Sequence, residues 1–185
     1  MKAVLILALL AVAYAYETDW EQLNQDRPVC FDARHRVYGS VRVPHEGFLH
    51  SVKLVHRTGK VACSRGHGDF WLIKEKRHWS NWGCSGFGLL LGYNMNVLVT
   101  NSHNHVLVPE KGQARFKPAD LAKWYSLHGS NEHSHSIVLS RNLKHPYHLR
   151  AGAELRVWYG EALFKLLEID NVGRVCVDVY AKFSY

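Results

Sequence analysis

Past its first fifteen residues, this chain has no apolar run long enough to cross a membrane. Leu89, Leu90 and Leu91 are cut short by Gly92 and Asn94. It has no Asn-x-Ser/Thr sequon, so N-glycosylation is not expected to contribute to its folding or solubility. It has no internal repeat and no low-complexity segment. Lys and Arg nowhere reach the density of a nucleic-acid patch, so no nucleic-acid partner is expected. G-x-S-x-G, H-E-x-x-H and P-loop patterns are all missing, and with them the commonest sequence signatures of catalysis. The reading is therefore not an enzyme. There are only four cysteines and no C-x-x-C pair, which argues against a zinc–thiolate centre.

What is present begins at the N-terminus. Met1 and Lys2 precede an apolar stretch over residues 3–12, and Ala13-Tyr14-Ala15 follows as an A-x-A cleavage pattern. A basic start, a short apolar centre and a small-residue end read as a secretory signal peptide over residues 1–15. Cleavage would leave a mature chain from Tyr16 to Tyr185. The expected location is secreted and extracellular, where disulfides persist. Hydrophobic residues make up 47% and charged residues 21%, a globular composition. The net charge is +7 with 13 histidines, which add positive charge as the pH falls toward 6. A basic extracellular protein is drawn to anionic partners such as glycans and acidic matrix polymers. The densest basic group, residues 74–78, contains Glu75 and reads as an exposed loop.

Residues 16–27 read as a polar lead-in, and residues 28–185 as one domain. Val37, Gly39, Val41 and Val43 share one face of an extended run, with Pro44 to Gly47 as turn chemistry. A second run covers residues 48–57, and Thr58-Gly59 is expected to turn into residues 60–63. Residues 97–100 and 105–108 read as strands flanking a tight turn at Asn101 to Asn104. Residues 136–140 and 154–159 are further strands. In the last segment Val175, Val177, Val179, Ala181 and Phe183 alternate with Arg174, Asp178, Tyr180 and Lys182, the period of a half-buried strand. Pro118 and Gly129 bracket the best helix candidate, with Leu121, Trp124, Tyr125 and His128 on one face. The expected fold is all-β: an antiparallel β-sandwich, jelly-roll-like, with one short inserted helix at 118–128 and two disulfides. Four cysteines allow three pairings. Strand placement favours Cys30–Cys176 and Cys63–Cys84.

Three groups could carry chemistry. Residues 155–161 end in Glu161, and Asp170-Asn171-Val172-Gly173 opens the last strand. This C-terminal segment resembles calcium-dependent, galactose-binding jelly-roll lectin domains. The resemblance implies Ca²⁺ held by Glu161, Asp170 and Asn171, with sugar hydroxyls held by the metal. Glu161 stands where those lectins carry Asp, and the loop is longer. The plain alternative is an Asp-Asn-x-Gly turn. The second group is His103 and His105, with His133 and His135, pairs spaced two apart that suit Zn²⁺ or Cu²⁺ if they converge and solvated loops if they do not. The third is aromatic: Trp71, Trp79, Trp82, Trp124 and Trp158, with Tyr93, Tyr125, Tyr147 and Tyr159, material for sugar stacking or for a core. The functional expectation is a secreted binding protein, lectin-like or matrix-associated, that recognises glycans or other anionic material. The alternatives are a structural matrix protein without a discrete ligand site and a membrane-active secreted toxin. The sequence leaves the oligomeric state open.

Overall fold

The C-terminal alternation organises the molecule. In the computed structural model, residues 20–62, 79–84, 92–166 and 171–185 are described. The signal segment, residues 16–19, Cys63 and residues 74–78 lie outside them. Among the described residues the elements run β1 (Glu21–Gln22), β2 (Val29–Asp32), β3 (Gly39–Arg42), β4 (Gly47–Ala62), β5 (Val97–Asn101) and β6 (Val106–Val108). They continue with β7 (Arg115–Phe116), β8 (Tyr125–Ser126), β9 (Ser136–Ser140), β10 (Tyr147–Leu149), β11 (Glu154–Tyr159), α1 (Gly160–Phe164) and β12 (Val172–Ser184).

β12 and β4 form a long antiparallel ladder at the centre of a six-stranded sheet. β1 and β2 line the free edge of β12, one after the other. β10 and β9 do the same for β4. A second sheet runs β3-β11-β5-β6, and β7 and β8 form a small separate ribbon. The two main sheets share one hydrophobic core. Val175, Val177, Val179, Ala181 and Phe183 of β12 all point into it, as the period of two requires. Leu49, Val52 and Leu54 of β4 join them, and Val97, Val99, Leu155 and Val157 face them from the second sheet. Each fully buried Val or Phe side chain favours folding by about 1.5–3 kcal/mol over exposure. The fold is thus an antiparallel β-sandwich with one short helix.

Two local readings are corrected. Thr58-Gly59 is not a turn. β4 runs straight through it, paired with β12 on both sides, and the register slips between Cys176 and Val177. Gly59 takes φ +80, and a Cβ there would strike the Arg174 carbonyl oxygen. The extra residue at that slip is Arg57, and Gly59, paired with Val175, gives the close approach to β12 that the ladder needs beside it, where the sequence suggested chain reversal. The helix at 118–128 does not form either. Ala119 and Lys123 have positive φ (53 and 60), outside the helical region. The Asp120 carboxylate accepts the backbone N–H groups of Ala122 and Trp124, which turns the chain before Tyr125 enters β8. A short Asp side chain offers backbone donors an alternative to the helical ladder, and here it prevails. The one described helix is α1, directly after β11.

The polar lead-in is tied to the sheet. Asn24 is buried, accepts the Val179 N–H at Oδ1 and donates to Asp178 Oδ1. Asp178, on the outer side of β12, also pairs with Arg57 at 2.9 Å. Cys30 and Cys176 sit opposite one another in the β2–β12 register and are joined by a disulfide. Cys84 is buried and disulfide-bonded. The pairing expected for it, with Cys63, lies outside the described residues. No helix among the described residues is long and apolar enough to cross a membrane.

The Cys30–Cys176 bridge closes nearly the whole domain, at a sequence separation of 146. The chain-entropy model assigns such a loop about 4–5 kcal/mol. Replacing both cysteines by Ala should therefore lower Tm by roughly 10 °C or more, at about 2–4 °C per kcal/mol for a chain of this size. A differential scan checks it. A drop below about 2 °C would mean that the β2–β12 ladder holds the edge unaided.

Candidate functional site

The sequence points first to the junction of β11, α1 and β12. Here Glu161 and Asn171 do converge, while Asp170 lies outside the described residues. Asn171 Nδ2 donates to Glu161 Oε2 at 2.7 Å and to the Ala33 carbonyl at 3.2 Å. Trp124 Nε1 donates to Glu161 Oε1 at 3.1 Å. Glu161 is only 6% exposed and Asn171 0%. Asn96 completes the cluster: its Oδ1 accepts the Glu161 N–H, its Nδ2 donates to the Ala122 carbonyl, and its own carbonyl accepts the Gly160 N–H. α1 has no side-chain cap of its own, so Asn96 supplies one from β5's approach. A Cβ on Gly160 would lie 2.6 Å from the Ala122 oxygen, so only glycine lets α1 seat this closely on the 118–124 loop.

The cluster is a buried clamp between three segments. Its carboxylate faces inward and both its oxygens accept hydrogen bonds, as buried charge requires. One atom stands apart: Asn171 Oδ1 is buried without a hydrogen-bond partner. Among the described residues, no group of three or more His, Cys, Asp or Glu side chains is placed to hold a metal.

The histidine pairs stay on the surface. The His103 and His105 rings lie 6.2 Å apart, on the turn that Asn101 Oδ1 organises by accepting both their N–H groups. His133 stands 3.6 Å from Glu132, and His135 is exposed. Most of the aromatic candidates belong to the core. Trp82, Tyr125 and Tyr159 are fully buried, Trp124 nearly so, and burial pushes the Tyr125 phenol far above its usual range. Trp158 covers the outer side of the second sheet beneath Tyr38, with Arg156 over the Tyr38 ring at 4.6 Å. Trp79 is exposed, and Trp71 lies outside the described residues.

Two of the surface hollows are lined by described residues. One, of about 810 Å³, lies between the β6 end and the 117–123 loop. Its acids are already committed: Glu110 to Arg141 and the Asn142 N–H, and Asp120 to its own loop. The other, of about 760 Å³, lies on the outer face of the six-stranded sheet, lined by Trp20, His50, Ser51, Lys182, Ser184 and Tyr185, with Leu143 beside them. Trp20 and Lys53 were not singled out from the sequence. The outward parity of Tyr180 and Lys182 was the available signal.

No protein-family model matches the chain, and no curated protein matches it. A solved structure does: AJLec, from the sea anemone Anthopleura japonica, is 37% identical, with 90% of this chain and 98% of that chain covered and a TM-score of 0.74.

The clamp gives a direct expectation. Glu161→Ala would leave the Trp124 indole N–H unpaired and the Asn171 amide with only its Ala33 bond, at about 1–3 kcal/mol for each buried group. Chemical denaturation of the variant should show a midpoint loss matching about 2–5 kcal/mol, with Trp124 more solvent-quenched. A change within about 0.5 kcal/mol, the range of ordinary surface substitutions, would remove the clamp from the account.

Proposed function

Because the chain belongs to the family of the sea-anemone lectin AJLec and has its lectin-like fold, we propose that it is an extracellular glycan-binding protein that acts by recognition and not by catalysis. The likeness sustained over nearly the whole of AJLec carries this reading. The Cys30–Cys176 disulfide supports the extracellular part, since such bonds persist in oxidising compartments. So does the signal-like segment at residues 1–15. The basic charge favours acidic matrix glycans among the ligands.

Calcium belongs to the same proposal. Glu161 and Asn171 are neighbours that both carry hard oxygens, joined through the Asn171 amide N–H, and the unpaired, buried Asn171 Oδ1 is the kind of oxygen a cation takes up. With Asp170 they would form the ligand set that the C-terminal segment implies.

A printed glycan array of neutral and acidic sugars, probed in millimolar calcium and in chelator, tests both parts. The expected result is retention of a defined subset of glycans. Calcium should also raise the melting temperature by about 5–10 °C at 100 times its Kd. Asp170→Ala should lose that increment. Retention of no glycan under either condition would overturn the binding reading. Identical melting curves with and without calcium would remove the metal alone.

A further inference from the structure

The outer face of the six-stranded sheet is built in rows. Tyr180 of β12 lies between Gln22 of β1 and Lys53 of β4, and Lys53 faces Val138 of β9. In the next row Lys182 pairs with Ser51, and Ser51 with Ser140. Directly opposed residues of antiparallel strands share a face. Tyr180, Lys53, Lys182 and Ser51 are therefore neighbours on one open surface, with Trp20 just ahead of β1.

Three features of this surface point to a ligand. The first is charge. Lys53 Nζ sits 4.8 Å from the Trp20 ring centre and 4.7 Å from that of Tyr180, held between two aromatic faces. Among the described residues neither Lys53 nor Lys182 reaches a carboxylate within ion-pair distance. Glu21 of β1 is engaged by His45 and by the Tyr185 hydroxyl. The second is a bulge. Between Lys182 and Phe183 the ladder slips, and His50 is the extra residue on β4. Its Nε2 meets Ser184 Oγ at 2.8 Å, and its Nδ1 is buried without a partner at the wall of the hollow. Bulges re-aim side chains in this way beside functional sites. The third is shape. The hollow holds about 760 Å³, within the range of small-ligand sites.

We propose that this face is a subsite for an acidic saccharide. The sugar ring would lie against Trp20 and Tyr185, apolar side to aromatic. Its carboxylate or sulfate would sit between Lys182 and Lys53, and its hydroxyls would reach Ser51 and Ser184. The inference rests on the glycan-binding reading and narrows it to a ligand class and a place. It is distinct from the Glu161–Asn171 clamp, which is buried at another part of the fold.

The test uses the mature disulfide-bonded protein and two probes, the unsulfated chondroitin disaccharide and its 4-sulfated form, titrated calorimetrically at low salt. Wild type should bind the sulfated probe, and the Lys53→Gln/Lys182→Gln variant should bind it at least 10-fold more weakly. Lys182→Gln alone should give an intermediate loss. A charge-matched control, Lys111→Gln/Arg150→Gln, on exposed positions elsewhere, should bind as wild type does. Retained binding of the unsulfated probe would assign recognition to the carboxylate, and its loss to the sulfate. Equal losses in the control would reduce the effect to net charge and overturn the site. So would unchanged affinity in the double variant, and in that case array binding of other glycans would still stand. A wild-type dimer by sedimentation that dissociates in the double variant would assign the face to a second copy and overturn the proposal as well.

Discussion

The antiparallel pairing of β12 with β4 is the constraint on which the remaining structure depends. β12 is paired on both edges, which places it in the interior of the sheet. Its alternation fixes one set of side chains in the core and the other on the open face. A slip of one residue would exchange Val177, Val179 and Ala181 for Asp178, Tyr180 and Lys182 at the core, so hydrophobic burial enforces the register. The disulfide to β2 and the Asn24 contacts then fasten the outer strands to that register. The two bulges in the β4–β12 ladder set its departures, one at Arg57 and one at His50.

Two kinds of polar site follow from this frame, and they differ in physical character. The Glu161–Trp124–Asn171–Asn96 cluster is enclosed and joins segments that are distant in the chain. Its hydrogen bonds serve to fix α1 and the entry of β12, and the unpaired Asn171 oxygen is its opening to further chemistry. The Trp20–Lys53–Tyr180–Lys182 surface is open, and rigid because it stands on paired strands. Preorganised aromatic and charged groups on a sheet face lose little freedom when a ligand arrives.

The strands were legible in the sequence where one face is buried and the other wet. The period of two over residues 174–183, 136–140 and 154–159 survives into β12, β9 and β11 because tertiary burial and local pattern agree there. The failures occur where short side chains and glycine act locally. Gly59 reads as a turn residue by type but stays in the ladder, where β12 lies too close for a Cβ. Asp120 defeats a helix whose apolar spacing was sound, because its carboxylate captures backbone donors from Ala122 and Trp124. Glu161 and Asn171, named together only through the resemblance as calcium ligands, meet as a hydrogen-bonded pair. Trp20 was not legible. Its position beside Lys53 depends on a two-residue strand, β1, whose pairing no local pattern announces.

The proposed subsite places an acidic sugar on the open face of the six-stranded sheet of this lectin-like sandwich. The most direct measurement is chemical-shift mapping of the mature protein during titration with 4-sulfated chondroitin disaccharide. The account predicts saturable shifts at the Trp20 indole N–H and at the backbone amides of Ser51, Lys53, Tyr180 and Lys182. Shifts confined to the α1 junction or to the 117–123 loop, or none at all, would contradict it.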